Sequence, residues 1–223
     1  MRHFYNELTT AQKTWIAGST LAILILGTIS GDAPINILIG TVGMFYVAVY
    51  GTGKTRWAFI LGIAYVSLYT VICLQNKIYL DALQNIILIP IYFASFLHWG
   101  KHNVQPHNAK ASQNALVILA TALFGVGLYY VSKALHGNYS SLDAFNTACT
   151  MSAMILGYFG YSLNWCMWTA NNVVSALTFG LALATPTGSI TVFAMKLIFM
   201  INGIIGWITF NHIGRKEQMN GKA

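Results

Sequence analysis

Between Asn164 and Ser175 the chain reads Asn-Trp-Cys-Met-Trp-Thr-Ala-Asn-Asn-Val-Val-Ser. Wound as a helix at about 100° per residue, Asn164, Trp165, Trp168, Asn171, Asn172 and Ser175 fall within an arc of about 120°. Two indoles, three amides and a hydroxyl therefore share one face of a largely apolar stretch. Amides exchange hydrogen bonds with carbonyls and hydroxyls, and indole faces stack on flat rings. The chemistry on offer is that of holding a flat, polar, ring-containing solute. Polar groups are costly in hydrocarbon, so the stripe is expected to face a protein interior or a wet cavity.

Three other segments carry stripes able to complete a pocket. In 80–99, Asp81, Gln84, Asn85, Leu88, Tyr92, Ser95 and Trp99 share a face, and Pro90 interrupts the backbone ladder. In 143–161 the shared face holds Asp143, Thr147, Thr150, Met154, Tyr158 and Tyr161, and in 188–210 Asn202-Gly203 precedes Trp207. Plainer readings compete with each. Trp15, Trp57, Trp99 and Trp207 stand near span ends, where indoles form interfacial belts. Serines and threonines in membrane helices usually bond their own backbone or a neighbouring helix. Asp81 and Asp143 begin helices, where capping explains an acid. Lys196 is expected to snorkel toward the nearer surface, a pairing with Asp143 or Asp81 being the alternative. His98, His102 and His107 read as solvated side chains. Asn85, Trp168 and Asn172 lie deeper, and together they favour a ligand site over helix–helix glue.

The elements that position these groups follow from composition. The chain is 56% hydrophobic and 8% charged, against roughly 25% charged in soluble domains. Apolar runs near the ~20 residues of a bilayer-spanning helix recur at about 14–31, 34–51, 57–74, 80–99, 113–134, 143–161, 164–184 and 188–210. They are too long and too evenly apolar for barrel strands. The expected fold is all-α, a single polytopic membrane domain over 1–223. The first run resembles a secretory signal, but Asp32-Ala33-Pro34 leads straight into another span, so it is read as a membrane helix peripheral to the working core.

The net charge of +7 suggests nucleic acid until its distribution is traced. With eight spans and both termini on one side, Arg2, Lys13, Lys54, Arg56, Lys101, Lys110, Arg215, Lys216 and Lys222 share that side, while Lys77 and Lys133 fall opposite. Basic residues favour the cytoplasm, so both termini are expected there and no nucleic-acid partner is implied. Gly51-Thr52-Gly53-Lys54-Thr55 imitates a phosphate loop, but Ala48 stands where its leading glycine belongs. Cys73, Cys149 and Cys166 are isolated in spans without metal-ligand spacing and read as free buried thiols. No nucleophile motif or paired carboxylate appears, so an enzyme, a metal site and a cofactor are not expected.

A shift of 108 residues aligns Tyr50 with Tyr158, Trp57 with Trp165, Ser67 with Ser175 and Trp99 with Trp207. The repeating unit would be three helices, 34–99 and 143–210, with 113–134 between them and 14–31 as an extra N-terminal helix. An odd unit plus one linking helix keeps both copies in one orientation, a parallel repeat with its site between the triplets. Gly62, Ile63 and Ala64 stand where the second copy has Ala170, Asn171 and Asn172, which places the solute on the second triplet's side.

The pattern Asp-x20-Asn-Trp-x2-Trp-x3-Asn, met by Asp143, Asn164, Trp165, Trp168 and Asn172, resembles the PnuC family of vitamin and nucleoside transporters. Asn202, Gly203 and Trp207, and Asn85 with Trp99, extend the likeness over about 34–210. The resemblance implies two parallel three-helix bundles joined by a linking helix, related to SWEET sugar transporters, and a homotrimer in the bacterial inner membrane. It implies facilitated diffusion of a nucleoside-like vitamin precursor, nicotinamide riboside foremost, with trapping by a cytoplasmic kinase. It also places Trp165, Trp168 and Asn172 on the solute from one bundle and Asn85 and Gln84 from the other, with Asn164, Tyr92, Asn202, Tyr158 and Thr150 completing the candidate site. The family's usual Glu-Asn-Trp is Leu163-Asn164-Trp165 here, and its Tyr-Gly-Trp is Ala94-Ser95-Phe96. Thiamine, riboflavin, deoxynucleosides and sugars therefore stay open as solutes, and a membrane subunit without transport stays open as a role.

Overall fold

The computed structural model describes residues 8–52, 56–102 and 104–219. Arg2, Lys222 and the Gly53-Lys54-Thr55 part of the phosphate-loop imitation lie outside the described residues, as does the side chain of Lys216. Among the described residues eight helices follow one another: α1 (Thr10–Ile29), α2 (Pro34–Tyr50), α3 (Trp57–Gln75), α4 (Tyr79–His102), α5 (Ala111–Ala134), α6 (Ser140–Phe159), α7 (Asn164–Ala182) and α8 (Ile190–Met219). Each coincides with one apolar run, because a helix alone satisfies its backbone in hydrocarbon. The helix α8 continues nine residues past the expected end at 210: the apolar pattern marks the span, whereas the backbone ladder persists into the basic segment. Four helices, α3, α4, α5 and most of α8, are long and apolar enough to cross a membrane by composition alone. The polar stripes that dilute α6 and α7 face inward, as burial of Asp143, Asn146, Thr150, Asn171, Asn172 and Ser175 shows.

The packing order is a closed ring. Helix α2 packs on α3, α3 on α4, α4 on α6, α6 on α7, α7 on α8, and α8 returns to α2. Helix α1 lies outside, against α2 and α8, while α5 lies outside against α6 and α4. Every contact thus has a counterpart when α1–α4 is exchanged with α5–α8. In this contact pattern α1 and α5 hold corresponding places. The outer surface is apolar: Leu116, Leu119 and Leu123 of α5 and Leu177 and Leu181 of α7 are exposed.

Two carboxylates express the same symmetry. Asp143 of α6 accepts hydrogen bonds from the backbone N–H of Leu80 (3.1 Å) and Asp81 (3.0 Å) at the start of α4, and from Ser132 Oγ at 3.2 Å. Asp32, just before α2, accepts from the Thr191 N–H at 2.7 Å, from Ser189 Oγ at 3.0 Å and from Thr191 Oγ1 at the start of α8. The two acids and the two backbone donors they cap each differ by 111 positions, 32 to 143 and 80 to 191. Capping was expected of Asp143 on its own helix. Instead, each half caps a helix of the other, because free N–H groups at a helix start favour a nearby anion. On the opposite face the ties are neutral: Trp99 Nε1 donates to Gly157 and Tyr158 carbonyls at 3.2 Å, and Asn202 Nδ2 donates to Val47 O at 2.9 Å.

Candidate solute site

The ring surrounds a cavity lined by all six ring helices and by neither α1 nor α5. Its two sides differ chemically. Helices α2, α3 and α4 present Tyr46, Tyr50, Tyr65, Tyr69 and Tyr92. Tyr46 stacks on Tyr65 at 5.8 Å between centroids, Tyr65 on Tyr69 at 5.4 Å, and the Tyr46 and Tyr92 hydroxyls lie 2.8 Å apart. This wall depends on Gly43, where a Cβ would come within 2.7 Å of the Tyr65 ring and 2.9 Å of Met195 Sδ.

Helices α6, α7 and α8 present amides, indoles and one cation. Asp81 of α4 accepts both contacts of Asn146 Nδ2, at 2.6 and 2.7 Å. Asn146 Oδ1 in turn accepts from Asn171 Nδ2 and Ser175 Oγ, both at 2.8 Å, and Asn171 also donates to Thr150. This chain of bonds fixes the amides, because each member's rotamer is set by the next. Four of the residues lining this space carry a buried polar atom with no hydrogen-bond partner: Tyr69 Oη, Gln84 Oε1, Trp165 Nε1 and Trp168 Nε1. Buried polar groups are nearly always bonded, so a matched set left over in a cavity defines what an occupant must supply. The two indoles differ. Trp165 is 1% exposed, its ring packed 5.1 Å from Tyr50 and 5.5 Å from Phe210. Trp168 is only half-buried.

Seven of the ten candidate residues line this space together: Trp165, Trp168, Asn172, Asn85, Gln84, Tyr92 and Thr150. The other three stand elsewhere. Asn164 is buried behind Trp165 and donates to Tyr50 Oη at 3.2 Å. Tyr158 stacks on His98 at 4.2 Å near the other end of α6. Asn202 faces α1, accepting from Trp15 Nε1 at 2.9 Å. Trp15 and Trp99 are thus inter-helix donors instead of belt residues, whereas Trp57 and Trp207 are 51% and 45% exposed. His98 and His107 are likewise packed, the latter ring 4.2 Å from the Tyr161 ring, while the His107 backbone N–H donates to Gly160 O at 3.0 Å. Gly160 ends α6 at φ +82°, a left-handed turn that favours glycine. Cys166 is exposed, unlike Cys73 and Cys149. Among the described residues no group of His, Cys, Asp and Glu is placed to hold a metal.

Lys196 departs most from expectation. It does not snorkel: it is 4% exposed, its Nζ lies 3.3 Å from Tyr65 Oη and 4.1 Å from the Tyr69 ring centroid, and it lines the cavity. Ring faces and a hydroxyl replace part of its hydration, which makes the inward rotamer tenable. The sequence signals overlooked were the i,i+4 pairs Tyr46/Tyr50 and Tyr65/Tyr69, hydroxyls too deep for an interfacial belt, and Asn146, four residues before Thr150.

A family model described as nicotinamide mononucleotide transporter matches residues 33–212. The chain belongs to this family. The nicotinamide riboside transporter PnuC of Neisseria mucosa is 19% identical over 232 residues, covering 97% of this chain and 86% of that one. A structure described as the crystal structure of the vitamin B3 transporter PnuC superposes with a TM-score of 0.83 at 20% identity, covering 94% of each chain. That likeness shows a common fold. The PnuC resemblance read from the Asn/Trp pattern is therefore the right one, and the chain is a membrane protein of a transporter family.

Proposed function

We propose that the cavity is the solute site of a carrier for a nucleoside-like vitamin precursor, with nicotinamide riboside, named for the Neisseria relative, the first solute to test. One observation carries this reading: Tyr69, Gln84, Trp165 and Trp168, which line one cavity between the helices, each hold a buried polar atom without a hydrogen-bond partner. An acceptor opposite two donors suits a carboxamide or ribose, and the Trp168 face suits the ring. Asn172 and Asn85 add amides from the two opposite sides. No acid–base pair lines the space, which supports carriage over chemistry.

Passage by facilitated diffusion with phosphorylation by a cytoplasmic kinase fits a cavity without an evident ion-binding cluster. Cytoplasmic termini in a bacterial inner membrane fit the placement of Lys13, Arg56, Lys101, Lys110 and Arg215 on the face where α1, α3, α5 and α7 begin. Kinship with SWEET-type carriers fits the parallel repeat. The bare apolar face of α5 accords with a homotrimer. Uptake of labelled nicotinamide riboside into vesicles containing the purified protein tests the central reading, with thiamine, riboflavin, deoxynucleosides and glucose as competitors. Saturable uptake that nucleosides inhibit is expected; vesicles no more permeable than protein-free ones would end it.

A further inference from the structure

The ammonium of Lys196, a residue lining the cavity, is held against aromatic ring faces. Its Nζ lies over the Tyr69 ring at 4.1 Å, with Phe199 at 5.7 Å and Phe179 at 5.9 Å. Aromatic faces grouped in this way attract cations. Here the attraction is already used by the chain's own side chain. A second positive charge in the same low-dielectric space would be repelled, and strongly so because burial weakens screening.

The same ammonium is under-satisfied. It has three N–H donors, and Tyr65 Oη at 3.3 Å is a long contact for one of them. Asp81 is the carboxylate within electrostatic reach, but its oxygens take the short Asn146 contacts, and it is not among the residues lining the cavity. A buried charge without a close counter-ion is costly, so such a group is normally paired. Lys196 shares the cavity with Gln84, Asn85, Asn172 and Trp168. An occupant held by those groups lies within range of it.

We propose that Lys196 reads an anionic group on the solute, so that this chain favours a ring nucleoside bearing a carboxylate or phosphate over a cationic one without. The proposal rests on the cavity being the solute site. The anion could be a carboxylate on the ring or a phosphate on the ribose, and both present the same acceptor oxygens to an ammonium.

Three matched ligands separate these cases: nicotinamide riboside, nicotinic acid riboside, which replaces the carboxamide by a carboxylate, and nicotinamide mononucleotide, which adds a phosphate. Each is titrated calorimetrically into wild-type protein, Lys196→Met and Lys196→Arg, with vesicle uptake of the three measured on wild type. At least one anionic ligand is expected to bind wild type about tenfold or more tightly than nicotinamide riboside. The better of the two identifies the anion. That preference should fall below about threefold in Lys196→Met and persist in Lys196→Arg. Because the readout is a ratio within one preparation, a partly inactive variant still reports it. Tighter binding of nicotinamide riboside than of both anionic ligands by wild type, or a preference unchanged in Lys196→Met, overturns the proposal while leaving the carrier reading intact. Failure of all three to bind or cross overturns the carrier reading itself.

Discussion

Trp165 and Trp168 are three residues apart on one face, yet truncating them should fail in different ways. Trp165 is 1% exposed and its ring contacts both Tyr50 and Phe210. Replacing it by alanine removes a wall shared by α2, α7 and α8, a loss on the order of 3 kcal/mol for a buried aromatic. The half-buried Trp168 carries less of the packing, and its free N–H faces the cavity. Its removal should cost the occupant a stacking surface worth about 1–3 kcal/mol, which is roughly 5- to 150-fold in dissociation constant. Thermal melting in detergent measures the first effect, and calorimetric titration with the preferred riboside measures the second. Trp168→Ala should melt within a few degrees of wild type and bind at least fivefold more weakly. Trp165→Ala should melt far lower. If Trp168→Ala binds as wild type does, or if both variants lose stability alike, the division into stacking surface and wall is wrong.

Asp143→Ala would leave the Leu80 and Asp81 N–H groups without their acceptor, a loss of about 1–3 kcal/mol read as a lower melting temperature, with Asp143→Asn recovering part of it. Asn171→Ala breaks the bonds to Asn146 and Thr150; we expect loss of riboside affinity exceeding fivefold in titration because Asn146 loses a restraint. Trp15→Phe removes only the bond to Asn202 and should cost about 1 kcal/mol of stability while leaving affinity within twofold, since α1 does not reach the cavity.

Much of this arrangement was legible before any coordinates. The spans were readable because hydrocarbon forces each helix to be apolar and self-bonded. The α4 face was readable too: Asp81, Gln84, Asn85, Leu88, Tyr92, Ser95 and Trp99 are all buried, since helical period alone decides which residues share a side. Period is silent about what that side meets. Nothing local distinguishes a Lys196 that reaches for the surface from one that turns toward Tyr65 and Tyr69, because the aromatic partners lie more than a hundred residues away in the chain. The same limit hid the Trp15–Asn202 bond and sent Asn202 to the site on the strength of its neighbours Gly203 and Trp207. The three-helix repeat was drawn from matching residue types at an offset of 108, whereas the reciprocal caps sit at 111; loop lengths differ between the halves, so no single shift aligns every helix.

The reciprocal caps have a bearing on how fast a solute crosses. Asp32 and Asp143 both lie on the face where α2, α4, α6 and α8 begin, one at each junction between the halves. The opposite face is fastened by neutral indole and amide contacts, which are the weaker kind. In this conformer the molecule is therefore locked at one face and only latched at the other. Were a solute to pass by opening the two faces in turn, parting the charged rim would mean releasing two carboxylates that belong to opposite halves, whereas the other rim would part only neutral contacts. Neither carboxylate lines the cavity, so a barrier of that kind would sit in residues outside the solute's reach.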